Sequence, residues 1–193
     1  DSTWTSGDPM VPRIPLCMVR RSGVPIKHVS DGPGSRSGDA LIGVAVRAGD
    51  VPPGTVGETY AAALQHDLVN IDDATLVGVV RRPTGRFRSL VDENHPVFGP
   101  PETLLEEIGN RREDLKRRGL CEEGAHNAAW EEVRFSARYE DHLDPTEDAE
   151  GGIAELVSRV RGGEDVVLVC FEGENERCHR HLLLDRIGAR LDG

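Results

Sequence analysis

The sequence predicts a small three-layer α/β domain with a short, mostly parallel sheet. Two β-branched apolar runs, residues 75–80 (TLVGVV) and 165–171 (DVVLVCF), read as strands covered on both faces. Helical patterns fill the interval between them, and the second run leads straight into another helix. Strands alternating with helices are the mark of a layered α/β fold.

The elements follow in order. Residues 59–68 are apolar but fit strand and helix equally well. The strand at 75–80 stops at Arg81-Arg82-Pro83. Pro100-Pro101-Glu102 opens a charged helix to about Arg118, closed by Gly119. Its apolar face is Leu104, Leu105, Ile108 and Leu115, and the pairs Glu107/Arg111 and Glu113/Arg117 have i,i+4 spacing. One long helix is expected over 125–142, with the stripes Trp130/Val133/Ala137 and Phe135/Tyr139/Leu143. A further helix covers 149–160 and ends before Gly162-Gly163. The last helix starts near Cys178 and buries Leu184, Ile187 and Leu191.

Residues 1–57 differ in kind. They contain no glutamate and carry six bases against five acids, whereas the remainder carries 17 bases against 29 acids. They are dense in turn formers, and only residues 40–46 (ALIGVAV) suit a regular element. The shift predicts a poorly ordered extension, or upstream sequence outside the mature protein, followed by one domain over 58–193. The alternative is a small strand pair packed on that domain.

The 193 residues suffice for one core. No run approaches the ~20 apolar residues of a bilayer span, and no signal peptide is visible. A cytoplasmic protein without membrane contact is expected. Cys17, Cys121, Cys170 and Cys178 are then reduced thiols, not a disulfide framework. Net charge is −11, and Lys27 and Lys116 are the only lysines. Such a surface suits a salt-rich cytoplasm, with a GC-rich genome as the plainer explanation. It argues against nonspecific binding to nucleic-acid backbones. The oligomeric state stays open.

Chemistry concentrates where residues 165–171 meet the last helix. Cys170, Glu172, Cys178, His179 and Arg180 gather at a strand C-terminus and a helix N-terminus, a favoured place for a site. Helix amides lower a thiol pKa at Cys178, His179 titrates near neutrality, and Arg180 suits a two-point clamp on an anion. Cys178, His179 and Glu172 are therefore the catalytic candidates. Arg180, Arg81 and Arg82 are the anion-binding candidates, the last two because they end the other strand. The plain alternatives are a buried Cys170, a loop-capping or Arg180-paired Glu172, and a solvated arginine pair. His126 or Asn127 reads as an N-cap device for the Trp130 helix. His66-Asp67 is a weak acid/base pair, since adjacent residues seldom face each other.

Several familiar chemistries are absent. The Cys-x5-Arg loop of cysteine phosphatases does not fit, since nine residues separate Cys170 from Arg180. There is no GxGxxG or Walker loop. Zinc would need Cys170, Cys178 and His179 to converge with Cys121 or His126. No CxxC pair exists and Cys178 and His179 are adjacent, so no metal site is assigned and no cofactor is named.

The segment VVLVCFEGENERCHRHLLLDRI resembles the signature of the domain of unknown function 488 family, of the type found in halophilic archaea. The matching features are Cys170-x-Glu172, then Cys178-His179-Arg180 at a helix start. TLVGVVRRP resembles the family strand ending in arginine and proline, here Arg81, Arg82 and Pro83. AAWEEVRFSARYEDHL resembles its helix bearing tryptophan and Arg-Tyr, here Trp130, Arg138 and Tyr139. The likeness spans about residues 58–190 and implies a Rossmann-like fold with a site but no assigned reaction. Tyr139 joins Cys170 and His126 as a subsidiary site candidate. The expected function is an enzyme acting on a small anionic or nucleotide-like substrate. The alternatives are a non-catalytic module for a nucleotide or nucleic-acid end, or a structural Cys/His cluster with or without metal.

Overall fold

A computed structural model describes residues 52–71, 73–144 and 147–193. Residues 40–46, and the proposed extension up to residue 51, lie outside the described residues. Strand β1 (Val56–Tyr60) leads into the short helix α1 (Ala61–Gln65), so the ambiguous run is a strand and a helix in turn. β1 begins two residues inside the segment read as an extension, and Gly54 N–H donates to Val160 O at 2.8 Å. Strand β2 (Thr75–Gly78) follows, then α2 (Gly85–Arg88), β3 (Glu93–Asn94) and a 3-10 turn at Pro96–Phe98. Next come α3 (Glu102–Arg117), α4 (Glu122–Glu132), α5 (Phe135–Leu143) and α6 (Glu147–Arg161). Strand β4 (Val166–Cys170) and helix α7 (His179–Leu191) complete the chain.

The sheet is parallel throughout, in the order β1-β4-β2-β3. β4 enters between β1 and β2, with Cys170 opposite Tyr60 and Val169 opposite Gly78. Four of its five residues are buried, which is why it reads as an unbroken apolar run. The C-terminal ends of β1, β4 and β2 thus open on one crevice. The architecture is a small Rossmann-like α/β domain. Among the described residues, no helix is long and apolar enough to cross a membrane.

One core packs around the sheet, with Val77, Val79, Leu168 and Val169 against Phe87, Phe98, Ile153, Leu183 and Ile187. In α7, Leu183 is the fully buried leucine; Leu184 and Leu191 pack at the margin. A second core joins α3, α4 and α5 through Leu104, Ile108, Trp130, Phe135 and Tyr139. Each large side chain so buried contributes about 1.5–3 kcal/mol. Val97 touches both clusters.

The expected single helix over 125–142 is two helices. Arg134 takes a left-handed conformation, φ 55°, between α4 and α5. No glycine or proline marks the break, and the backbone cost for arginine is roughly 1–2 kcal/mol. The break brings Trp130 and Val133 to one core with Phe135, Tyr139 and Leu143, leaving Ala137 exposed, and stacks Trp130 on Phe135 at 3.9 Å between centroids. Trp130 Nε1 donates to Ser136 Oγ at 3.0 Å. The expected i,i+4 pairs of α3 are also replaced. Arg111 pairs with Glu132 of α4, and Glu107 accepts from Arg138 of α5 at 2.7 Å. Those two pairs join helices, whereas Glu113 and Arg117 pair along α3 at i,i+3 with Lys116 and Asp114, and Leu105 is exposed.

Candidate functional site

β4 ends in Cys170 and α7 begins at His179, so strand and helix deliver a thiol and an imidazole to one place. Cys178 is the N-cap of α7, and its Sγ accepts the Arg180 N–H at 3.5 Å. A thiol here takes the capping role of serine or aspartate at the positive end of the helix dipole. Its backbone is extended, φ −140° and ψ 146°. That removes the geometric objection to adjacent Cys178 and His179, because only His179 is helical. Cys178 Sγ lies 3.7 Å from His179 Nδ1, and Cys170 Sγ lies 3.9 Å from it.

Glu172 closes the group. Its Oε2 accepts from Cys170 Sγ at 2.8 Å and from Cys178 Sγ at 3.2 Å. The carboxylate therefore does not pair with Arg180. His179 Nε2 faces the Val79 carbonyl at 2.8 Å, and a carbonyl only accepts. Nε2 therefore carries a proton and Nδ1 faces Cys178, while Cys170 Sγ lies 3.9 Å from both ring nitrogens. Both thiols and the imidazole are buried, and the donor atoms of all four residues lie within 4.8 Å of one another.

Their charges are interdependent. Burial raises the Cys178 thiol, but the Cys170 hydrogen bond and the His179 imidazole outweigh it and bring it down to about 6. Cys170 moves the opposite way, pushed up by burial and by its neighbour Cys178. Burial disfavours the Glu172 carboxylate, yet His179 and the thiol hydrogen bonds hold it below the ordinary range. Burial likewise opposes charge on His179, and the Cys178 and Glu172 negative charges overcome it. The site thus eases charge on Cys178, His179 and Glu172 and opposes it on Cys170.

Arg180 is almost wholly enclosed. It donates to Glu172 O at 2.7 Å and to Gly173 O at 3.5 Å. Its Nε has no hydrogen bond but lies 3.5 Å from Glu58 Oε2. Tyr60 lies 6.0 Å beneath the guanidinium carbon, and His181 Nε2 is 3.3 Å from Glu58 Oε1. These residues line a cleft of about 400 Å³ with Leu68 and Glu174. A larger hollow of about 610 Å³, between α6 and α7, is lined by Ala154, Val157, Ser158, Arg161 and Ala189, with no thiol or imidazole among its lining residues.

The family model of the active DUF488-N3 subclade (DUF488-N3a) matches residues 60–191. The chain belongs to the DUF488 family. No curated protein and no solved structure matches it. The matched span of this DUF488 protein includes the whole four-residue cluster.

Tyr139 packs against His179, and the other candidates sit apart from the cluster. Arg81 Nε donates to Pro100 O, and its NH2 to Gly99 O at 2.9 Å, tying the end of β2 to the start of α3. Arg82 points to solvent and pairs with Glu102 at 2.5 Å. Tyr139 presents its ring edge to His179 at 5.3 Å and donates its hydroxyl to Phe98 O at 2.7 Å. His126 and Asn127 are inside α4, whose N-cap is Cys121. Both hold the loop before α7. His126 Nε2 lies 2.8 Å from Arg177 O, and Asn127 accepts from Arg177 N–H and donates to Asn175 O, each at 2.9 Å. Neither Cys121 nor His126 therefore joins Cys170, Cys178 and His179; Glu172 does. His66 and Asp67 are exposed after α1. Glu58 and the Val79 carbonyl were not foreseen, and only the strand register brings them to this junction.

Proposed function

We propose that this DUF488 protein is a thiol-dependent enzyme for a small anionic or nucleotide-like substrate. The carrying observation is Cys178 Sγ at 3.7 Å from an imidazole whose other nitrogen is held by a carbonyl. That is the nucleophile, base and orienting group of covalent catalysis. Cys178 is the nucleophile, His179 moves its proton, and Glu172 orients the thiols. Against an ester, sulfur bonds to the carbonyl or phosphoryl centre. The ester C–O or P–O bond breaks, and the imidazolium gives its proton to the leaving oxygen. Water then cleaves the acyl- or phosphoryl-thiol and restores the proton. The adjacent cleft is lined by Glu58, Tyr60, Glu174, Arg180 and His181, and an anionic group entering it would have to take Arg180 from Glu58.

A panel of aryl phosphates, aryl carboxylates and nucleotides tests this with the wild type, Cys178→Ser and Cys170→Ser. Turnover in the wild type, lost in Cys178→Ser with the fold retained, is expected. Undiminished turnover in Cys178→Ser ends the reading. The burial of both thiols favours a second reading, ligand binding without chemistry. It requires nucleotide binding to survive in Cys178→Ser, with no turnover in either protein.

A further inference from the structure

We propose that Cys170, Glu172, Cys178 and His179 form a tetrahedral site for a soft divalent cation, zinc foremost, and that occupancy blocks Cys178. This shares Cys178 with the thiol reading and rests on it for the regulatory consequence, not for the metal binding itself.

The donor set is the first argument. Two thiols, an imidazole and a carboxylate match the ligands zinc takes. The spacing is the second. Bonds of about 2.3 Å to sulfur and about 2.0–2.1 Å to nitrogen or oxygen put tetrahedral donors roughly 3.5–3.8 Å apart. The sulfur-to-imidazole distances here are 3.7 and 3.9 Å. All four donors lie within 4.8 Å of one another, and Glu172 Oε2 is nearer, at 2.8 and 3.2 Å from the sulfurs. There a thiol proton bridges each sulfur to the oxygen. A metal replaces both protons and moves the oxygen out by about 0.7–1.0 Å from Cys170 and about 0.3–0.6 Å from Cys178.

The surroundings are those of a ligating histidine. His179 Nε2 is fixed by the Val79 carbonyl at 2.8 Å, which leaves Nδ1 as the ligand atom. The Arg180 N–H points at Cys178 Sγ from 3.5 Å, supporting charge on that sulfur. Two thiolates and a carboxylate carry three negative charges, and a divalent ion offsets two of them within the buried cluster. Cys170, Cys178 and His179 are each 4% exposed or less, so four ligands would close the ion off from water and substrate.

The full chain, stripped of metal by chelation under reducing conditions, is titrated with Co²⁺. Thiolate-to-cobalt charge transfer and tetrahedral d–d absorption are the readouts. The expected result is saturation at one equivalent, with displacement by Zn²⁺. Cys121→Ser, outside the cluster, should bind as the wild type does. Cys170→Ser, Glu172→Gln and His179→Gln should each weaken binding at least about 10-fold, the least that changes around a metal's ligands cost. Circular dichroism identifies any variant that fails to fold, and Glu172→Gln retains a similar shape as the gentlest test. Absence of a saturable thiolate band in the folded wild type overturns the site. So does unchanged affinity in a folded Glu172→Gln together with His179→Gln.

Alkylation of Cys178 by iodoacetamide, read by mass, separates this inference from the thiol reading. Modification of the metal-free protein that one equivalent of Zn²⁺ suppresses supports both. Modification indifferent to Zn²⁺ overturns the metal site and leaves the thiol standing. A cobalt band from a protein whose Cys178 resists alkylation supports the metal and sinks the nucleophile.

Discussion

Replacing Arg180 by alanine asks whether this side chain holds the site together or waits for a ligand. Its side chain is 3% exposed, and its head contacts two loop carbonyls and a carboxylate. The bond to Glu172 O at 2.7 Å is charge-assisted, a type that contributes about 1.5–3 kcal/mol. The Gly173 contact at 3.5 Å is at the limit of a hydrogen bond and adds little. Removing one member of a buried charged pair costs about 3–5 kcal/mol. Glu58 is 30% exposed, so water replaces part of its partner and the lower end applies. Arg180→Ala should therefore lose about 3 kcal/mol. Arg180→Lys keeps the charge and one bond to Glu172 O, and should lose about 1–2 kcal/mol. Urea unfolding of the full chain at constant m-value measures both. A loss below about 1 kcal/mol in Arg180→Ala would refute the holding role and return Arg180 to ligand binding.

Tyr139→Phe removes only the hydroxyl that satisfies Phe98 O and should cost about 1–2 kcal/mol in the same assay; no change would mean the carbonyl finds water. Gly152→Ala would place a methyl 2.8 Å from Phe98 Cζ, so about 1–3 kcal/mol should be lost and partly recovered by adding Phe98→Leu. Arg159 makes two bonds to Glu164, at 2.6 and 2.8 Å, and another to Glu93. With Thr75 it lowers the Glu164 carboxyl from 4.5 to about 2. The folded state thus favours the carboxylate. Its contribution is complete above the unfolded value of 4.5 and fades as pH falls toward 2. Because Glu164 is 35% exposed, about 1 kcal/mol is expected. Arg159→Gln should flatten this part of the stability–pH curve, and an unchanged curve would remove the pair from the account.

The junction of β4 and α7 was legible because burial on both faces writes itself as a continuous apolar run. The helix after it was marked by its apolar spacing and by a turn-forming loop. The break at Arg134 was not legible, since no glycine or proline signals it. It follows from two apolar stripes that one straight helix cannot turn to the same core. The role of Glu172 depended on its carboxylate folding back between two sulfurs, which no spacing rule states. Glu58 and Val79 reach the site through the β1-β4-β2 register, a long-range fact. The charge pairs of α3 had the right spacing, but packing gave Glu107 and Arg111 partners on α5 and α4, and Glu113 and Arg117 found nearer partners at i,i+3.

The strapped loop before α7 limits how often the thiols can meet anything dissolved in water. Three hydrogen bonds fasten residues 175 and 177 to α4, and Arg180 fastens Glu172 from the other side. At about 1 kcal/mol for each neutral bond and about 1.5–3 for the charged one, opening costs roughly 4–6 kcal/mol. Each 1.4 kcal/mol is a factor of ten, so about one molecule in 10³ to 10⁴ is open at a given moment. Reagents and substrates alike would act at a gated rate, far below what the chemistry of the sulfur alone permits. The Arg177 amide, held by Asn127, reports that gate through hydrogen exchange. Asn127→Ala, some distance from any sulfur, should then hasten thiol labelling by opening the gate more often.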